Sequence, residues 1–183
     1  MNTKGFTLVE LLVVIGILAI LTASVVIILN PAELLRQARD SQRFTDLDAV
    51  RNAISLYLAD QGSSADLTAG ASYCYIYTGA SSTTGCGGRF SSGTAEQRMT
   101  LVVDGTGWIP VDFAAISSGS PLSVLPLDPS HGATYYYAYK ANETEYDFEI
   151  NAVLESTKYV GDKDANDGGS DPDIYEVGSD LTL

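Results

Sequence analysis

This 183-residue sequence has little positive charge, one histidine and two cysteines. Ten lysines and arginines stand against 23 aspartates and glutamates, which gives a formal net charge of −13. Direct nucleic-acid binding is not expected, because it needs a basic patch that meets the phosphates. One histidine, His131, and two cysteines also supply too few nitrogen and sulfur ligands for a typical zinc enzyme.

The shortage of positive charge belongs to the second part of the chain. Residues 1–60 hold five basic and six acidic groups, so residues 61–183 carry a net charge of −12 out of the total of −13. The two parts are therefore expected to lie in different surroundings.

One long apolar run lies near the amino terminus. Residues 11–29 contain no charged residue, and only Thr22 and Ser24 are polar. A helix needs about 20 such residues to cross a bilayer, whereas the apolar part of a cleaved secretory signal has about 7–15. We predict a retained transmembrane helix over residues 6–30. Lys4 precedes it, which places the amino terminus in the cytoplasm and the remainder outside.

Glu10 is a carboxylate at the edge of this apolar run. An unpaired carboxylate in lipid costs a few kcal/mol. Local physics leaves two interpretations open: Glu10 snorkels to the interface, or it awaits a cationic partner.

The sequence KGFTLVELL at residues 4–12 resembles the class III signal of type IV pilins and type II secretion pseudopilins. The resemblance implies that a prepilin peptidase removes the leader, residues 1–5, by cutting between Gly5 and Phe6. It also implies that Phe6 becomes N-methylated and that Glu10 pairs with the terminal amine of a neighbouring subunit. The cut creates a positive amine at Phe6, and Glu10 is the nearby negative charge that could meet it.

A helix break is predicted at Asn30-Pro31. Asn30 suits an N-cap, with Pro31 at the first helical position and Glu33 three residues after the cap. An amphipathic helix then covers residues 31–60 and ends near Gly62, a suitable C-cap. Because residues 6–60 exceed what a bilayer needs, the second half must pack on a head domain, residues 31–183.

Three arginines, Arg36, Arg39 and Arg43, form a basic stripe on this second helix. The stripe could be a solvated face in which Arg36 pairs with Asp40. Alternatively, it could meet lipid phosphates or the acidic heads of neighbouring subunits.

Residues 61–98 are rich in serine, glycine, threonine and alanine, which predicts an irregular loop. The loop holds Cys74 and Cys86, on the exported side where disulfides persist. Only one intramolecular pairing exists, so we predict this bridge, worth roughly 3 kcal/mol in the entropic model. Two free thiols are the alternative.

Residues 99–183 are predicted to form a β-sheet followed by a carboxyl-terminal loop. Residues 99–103 are a short apolar run, and residues 135–140 and 145–154 indicate a hairpin. The second arm alternates acids, expected to face solvent, with apolar residues, expected to face the core. These are Glu145, Asp147 and Glu149, and Tyr146, Phe148 and Ile150. The fold class is therefore α+β, and a long amino-terminal helix packed on an antiparallel sheet resembles the pilin fold.

The segment 162–173 is dense in oxygen ligands of the kind that Ca²⁺ prefers. Its six candidate ligands are Asp162, Asp164, Asn166, Asp167, Asp171 and Asp173. The first three match the opening of an EF-hand, but Asp167 stands where that motif requires glycine. Major pseudopilins resemble this chain in having a calcium loop near the end of the head. A soluble acidic turn is the alternative, and no cofactor is required.

We predict a structural subunit of a type IV pilus-like filament, held by membrane lipid before assembly and built by an inner-membrane assembly platform. The mature homo-oligomer would be a cell-surface or periplasmic filament. The alternative is a type II secretion major pseudopilin: the calcium-type loop favours it, whereas the cysteine-bearing segment favours a surface pilus. A membrane-anchored hydrolase using His131 is a remote alternative, because no nucleophile motif accompanies that histidine.

Overall fold

Two consecutive helices lead into the head. The computed structural model describes residues 5–68, 73–77, 84–142 and 144–183, so Met1 to Lys4 of the predicted leader lie outside the described residues. Helix α1 spans Leu8–Leu29 and helix α2 spans Pro31–Gln61. Gly62 ends α2 with a φ of 53° and donates its backbone N–H to the carbonyl of Leu58, as the sequence predicted.

The break between the helices is confirmed, but its chemistry differs from the prediction. Asn30 adopts a left-handed conformation, with φ 41° and ψ 72°, and its side chain makes no capping hydrogen bond. Its backbone carbonyl instead accepts from the N–H groups of Glu33 and Leu34, at 3.0 and 3.3 Å. The Glu33 carboxylate accepts from Thr157 Oγ1 of the head at 2.9 Å, so a tertiary contact replaces the predicted capping box.

The described residues of the head form a five-stranded sheet with the order β2-β1-β3-β4-β5. The strands are β1 Tyr73–Ile76, β2 Thr94–Gln97, β3 Ala138–Asn142, β4 Asp147–Ala152 and β5 Tyr175–Gly178. Strands β3, β4 and β5 pair antiparallel, as does β1 with β3, and the hairpin β3–β4 matches the prediction. The pair β1–β2 is parallel, so the sheet is mixed rather than wholly antiparallel.

The prediction of an irregular loop over residues 61–98 was wrong in part. This segment supplies β1, β2 and a short helix α3, Thr84–Gly88. Composition predicted a loop, but Cys74, Tyr75 and Ile76 are fully buried and bring the segment into the sheet. The apolar run 99–103, by contrast, forms no strand and pairs irregularly, with the carbonyl of Leu101 accepting from the N–H of Leu125.

The main core lies between α2 and one face of the sheet. Helix α2 contributes residues at helical spacing: Leu47, Val50, Ala53, Ile54 and Tyr57. The sheet contributes alternate residues: Tyr75, Tyr139, Phe148, Ile150 and Val177. Trp108 and Phe113 of the connecting segment close this core, and Trp108 Nε1 donates to the carbonyl of Pro126 at 3.0 Å.

The opposite face of the sheet is also covered, so the prediction that Glu149 faces solvent is wrong, whereas Glu145 is exposed as predicted. Cys86 and Phe90 pack over this face with Cys74, Ile76 and Ala138. Glu149 points to this second face and is only 1% exposed. Period-2 alternation correctly separates the two faces, but it does not show whether the second face meets solvent. The whole arrangement is consistent with the α+β pilin-like fold that the resemblance implied.

Candidate assembly site and head anchor

The first helix has almost no contact with the head. Every α1 side chain that the structure describes is exposed, and Phe6 before it is 83% exposed. Within the described part of the chain, α1 is the one helix that is long and apolar enough to cross a membrane, over Leu8–Val25. Such an apolar surface needs lipid or other helices around it.

Glu10 caps the start of α1. Its carboxylate Oε2 accepts from both the backbone N–H and the hydroxyl of Thr7, each at 2.8 Å. The Glu10 N–H in turn donates to Thr7 Oγ1 at 3.2 Å, which completes a capping box. These partners are uncharged, and no ion pair to Glu10 occurs among the described residues. Within the described residues, the Glu10 carboxylate is therefore held by neutral donors of its own chain and has no cationic partner.

The predicted processing site lies in exposed chain ahead of this cap. Gly5 and Phe6 precede the helix and have no regular secondary structure. A Cβ built on Gly5 would meet no atom within 4 Å. Both residues are exposed, and cleavage between them stays a prediction.

A buried ionic cluster anchors α2 to the head, and we call it the Arg43 cluster. The Arg43 side chain is fully buried and contacts three carboxylates, those of Asp40, Asp128 and Glu155. Its Nε and Nη2 donate to the two oxygens of Asp128 at 2.7 and 2.8 Å, a bidentate pair. Arg39 binds the same Glu155, with Nε 2.9 Å from Oε1.

Asp40 is the second α2 residue with a fully buried side chain in the Arg43 cluster, and it also binds backbone N–H groups of the head. Its Oδ2 accepts from the N–H of Ser156 at 2.8 Å, and its Oδ1 accepts from the N–H of Glu155 at 3.0 Å. The chain leaving β4 is thus tied directly to the middle of α2.

The basic stripe is therefore not one surface, and the expected pair between Arg36 and Asp40 is absent. Arg36 Nη1 instead lies 3.8 Å from the Glu33 carboxylate. The Asp40 carboxylate is already bound by Arg43 and by the backbone N–H groups of Glu155 and Ser156. Arg39 and Arg43 face the head's own acids, and Arg36 is the exposed member of the three, with 49% of its side chain accessible. The i,i+3 spacing of Asp40 and Arg43 is visible in sequence. Their partners lie 85 and 112 residues from Arg43, and nothing in the sequence links them to it.

The Arg43 cluster lowers the pKa of the Glu155 carboxyl. Burial alone would raise its pKa, but hydrogen bonds from Arg39, Ser130 and Arg43 outweigh that effect and lower the pKa to about 2. Glu155 therefore stays ionised across the physiological range and keeps the cluster intact.

The predicted disulfide is present between Cys74 and Cys86. Their Cα atoms are 5.9 Å apart, and both residues are fully buried. The bridge ties β1 to α3. Arg89 follows α3, stacks on the Tyr136 ring at 3.5 Å and is buried, so the bridge and this stacked pair together hold α3 on the sheet.

A second pair of buried acids lies on that face of the sheet. Burial raises the pKa of Glu149 to about 8 and also raises the pKa of Glu176 on the neighbouring strand. Asn151 Nδ2 donates to Glu149 Oε1 at 3.1 Å. Burial and the neighbouring carboxylate both disfavour the charged form of Glu149, so the protonated form is favoured there.

The acidic loop uses its side chains mainly to bind its own backbone. Asp167 accepts from the N–H groups of Gly169 and Glu176, at 2.8 and 2.6 Å. Asp164 is buried and accepts from the N–H of Gly161 at 2.6 Å. In the part of the chain that the structure describes, no three His, Cys, Asp or Glu side chains converge in a way that could hold a metal ion. The arrangement does not fit a preformed calcium site, and calcium binding stays a prediction.

His131 does not form a catalytic arrangement with its neighbours in the described chain. Its ring packs edge-on against Tyr77, with centroids 5.3 Å apart, and its backbone N–H donates to the Asp128 carbonyl. The adjacent Ser130 hydroxyl donates to Glu155 at 2.6 Å, so this serine serves the Arg43 cluster rather than the histidine.

A comparison with known families identifies the amino-terminal segment. The model of the prokaryotic N-terminal methylation motif matches residues 1–26, and this motif is the signal of type IV pilins and pseudopilins. No curated protein and no solved structure matches the chain significantly.

The motif and the exposed helix point to the same class of protein. Residues 1–26 carry the amino-terminal methylation signal of type IV pilins and pseudopilins, and this match supports a pilin-like or pseudopilin subunit with a structural role. The motif implies processing by a prepilin peptidase and assembly into a filament, and the apolar helix indicates a membrane-anchored protein.

Proposed function

We propose that this chain is the structural subunit of a type IV pilus-like filament that assembles through α1. The observation that carries the proposal is the exposed apolar helix that begins with the methylation motif and is joined to a folded head. Because α1 contributes nothing to the head's core, it can pass from lipid to a bundle of identical helices without disturbing the head.

The chemistry of assembly follows from the Glu10 cap. Hydrolysis of the bond between Gly5 and Phe6 turns the Phe6 amide nitrogen into an amine, which is largely protonated at neutral pH. Methylation to a secondary amine keeps that charge. The Glu10 carboxylate, held by uncharged donors of its own chain, then pairs with the amine of a neighbour. Two charges that are costly in lipid separately thereby neutralise one another.

Substitutions at Glu10 and Thr7 test this pairing against a purely local capping role. Glu10→Ala and Glu10→Gln are expected to reduce filament yield at least tenfold, because one charge is left uncompensated. Membrane insertion, measured by fractionation, should remain. Thr7→Val is the matched control, since it removes the hydroxyl of the internal cap and leaves the carboxylate. Wild-type filament yield in Glu10→Ala cells, or an equal loss with Thr7→Val, would contradict intersubunit pairing.

A type II secretion pseudopilus is the second candidate, since the motif is common to both systems and the acidic carboxyl-terminal loop favours it. Imaging with labelled antibody separates the two candidates. A surface pilus gives long filaments that shear releases from intact cells. A pseudopilus gives periplasmic material, and loss of the subunit abolishes the export of cargo proteins.

A further inference from the structure

Arg89 differs from the other five arginines of the chain, because it binds no carboxylate among the described residues. It is buried, with an exposed fraction of 6%. In the described chain its guanidinium donates only to neutral acceptors, which are the carbonyls of Thr134 and Tyr136 and the side-chain oxygen of Asn151. Each of the others forms an ion pair with an aspartate or a glutamate: Arg36, Arg39, Arg43, Arg51 and Arg98. A buried cation without a counter-ion is costly, so the surroundings of Arg89 favour an added anion.

The pKa values of the two buried arginines show the same contrast. At Arg43, burial alone would lower the pKa, but hydrogen bonds to Asp128 and Glu155 outweigh it and raise the pKa above its ordinary value. At Arg89, burial is again the largest influence, and the neutral contacts do not offset it, so the pKa is lowered. A carboxylate beside Arg89 would supply the balance that Arg43 already has.

Part of the Arg89 guanidinium still has access to open space. Its Nε–H donates to no acceptor in the part of the chain that the structure describes. Nε is nevertheless not one of the two enclosed side-chain atoms without a partner there, which are His131 Nδ1 and Ser156 Oγ. Two pockets, of about 360 and 500 Å³, share Gly88, Arg89 and Asp171 in their walls. These volumes are in the range of small-molecule sites, so an unused donor of a buried cation is available to a ligand.

The larger of these pockets, which we call the Arg89 pocket, offers two further kinds of contact. Val153 and the buried Ile174 give it an apolar wall, and Asp171 and Asp173 supply carboxylates. Asp173 is exposed, and its carboxylate makes no hydrogen bond among the described residues. These acids would repel a simple anion, whereas they would attract an ammonium group. The Arg89 pocket therefore suits a ligand that carries both charges and an apolar group.

We propose that the Arg89 pocket binds a small apolar α-amino acid. The ligand carboxylate lies on the guanidinium of Arg89, and its ammonium group lies beside Asp171 and Asp173. Its side chain packs on Val153 and Ile174. This binding site belongs to the head alone, and it goes beyond the filament role proposed above without depending on it.

Titration with L-leucine and two fragments of leucine tests the proposal. Isocaproate lacks the ammonium group of leucine, and isoamylamine lacks its carboxylate. The full chain is kept in detergent with chelator, so that calcium does not compete for the acids. We expect saturable binding of leucine by calorimetry, at least about tenfold tighter than either fragment, because each fragment leaves one charged group of the pocket unpaired. Leucine should also shift the Nε–H resonance of Arg89.

A matched pair of variants in the acidic loop tests the role of the carboxylates. Asp173→Asn should weaken leucine binding about tenfold and should strengthen isocaproate binding, because it removes a charge that attracts ammonium and repels carboxylate. Asp162→Asn is the control, since Asp162 is an exposed acid of the same loop that lines neither pocket. Arg89→Gln should abolish binding of leucine. Because Arg89 also holds α3 on the sheet, thermal unfolding must first show that this variant is folded, and Asp173→Asn decides the question independently.

Three outcomes would overturn the proposal. The first is that leucine does not bind at millimolar concentration. The second is that isocaproate or isoamylamine binds as tightly as leucine does. The third is that Asp162→Asn and Asp173→Asn change leucine binding equally. None of these outcomes affects the filament yields that test the proposed function, so the two proposals fail separately.

Discussion

At the scale of single residues, Arg43 determines how the head is held on its helix. Its guanidinium is completely buried and is bonded to carboxylates from α2, from the segment before β3 and from the chain after β4. A buried cation of this kind contributes less by its own energy than by the cost of leaving its partners unpaired. Asp40, Asp128 and Glu155 would all remain in a dry site without it.

Replacing Arg43 should therefore be far more damaging than replacing an exposed arginine. We expect Arg43→Ala to lower the free energy of unfolding by about 3–5 kcal/mol, measured by denaturant titration of the full chain in detergent. Arg51→Ala, which breaks an exposed pair with Asp48, should cost about 0–1 kcal/mol. A similar small loss for both variants would show that the Arg43 cluster does not anchor the head.

Glu149 makes the free energy of unfolding depend on pH in the opposite direction to Glu155, because its pKa is raised rather than lowered. Its pKa is about 8 in the folded chain, above its ordinary value of 4.5. The folded state therefore holds the proton more tightly than the unfolded state. The stabilising contribution is complete below about pH 4.5 and is lost as the pH rises through 8.

We therefore expect the free energy of unfolding to fall between about pH 5 and pH 9. Glu149→Gln should remove most of this slope, because an amide donates to Glu176 at any pH. The variant should exceed the wild type by a few kcal/mol at pH 9. Denaturant titrations at several pH values measure the slope, and Glu145→Gln on the exposed turn is the control. An unchanged slope in Glu149→Gln would place the titrating group elsewhere.

At the scale of secondary-structure elements, the acidic loop protects an edge of the sheet. β5 is the last strand, and its outward N–H at Glu176 is bound by the Asp167 side chain rather than by another strand. An open edge with free N–H groups invites pairing with another chain. The loop thus has a structural use that needs no metal ion.

Variants in this loop can separate its structural role from calcium binding. Asp167→Ala should lower the free energy of unfolding by about 1–3 kcal/mol in chelator, because two backbone N–H groups lose their acceptor. The calcium prediction is that excess Ca²⁺ raises the unfolding temperature by mass action. That increment should disappear in Asp162→Asn, whose side chain is exposed. No shift with calcium and no heat of binding would leave the loop as an edge cap alone.

At the scale of the whole molecule, the chain consists of two parts that are stabilised differently. The head has its own two-sided sheet, a disulfide and the Arg43 cluster. The α1 side chains that the structure describes are all exposed, so α1 depends on lipid or on other helices around it. This division lets one subunit exist in lipid and in a filament. The linkage between the parts is a single left-handed residue, Asn30, followed by proline.

Processing is the prediction that belongs to this scale. Filament material should contain a chain that begins at Phe6 with a methylated amine, because the leader would otherwise separate Glu10 from a neighbour's charge. Intact mass and terminal sequencing measure this directly, and the membrane fraction of a peptidase-deficient strain is the control that retains Met1. Assembled filaments that contain Met1 would contradict the prediction.

The features that could be predicted from the sequence alone are those that depend on residues close together in the chain. The methylation motif, the uninterrupted apolar run, the break at Asn30-Pro31, the Gly62 cap and the β3–β4 hairpin all depend on local patterns. Each one follows from hydrophobicity, from backbone geometry or from a short signal that a peptidase reads. The disulfide could also be predicted, since two cysteines allow a single intramolecular pair.

Only the tertiary structure decided which surfaces are covered. The basic stripe and the alternating acids of β4 both resembled solvated faces, yet Arg43 and Glu149 are buried by segments distant in sequence. The segment around Cys74 was predicted to be a loop from its Ser- and Gly-rich surroundings, yet Tyr73–Ile76 is a strand that pairs with β2 and β3. Tyrosine and isoleucine favour strands, but which strands they pair with depends on residues far along the chain. Burial depends on what packs against a face, and that information is spread over the whole chain rather than held in any local pattern.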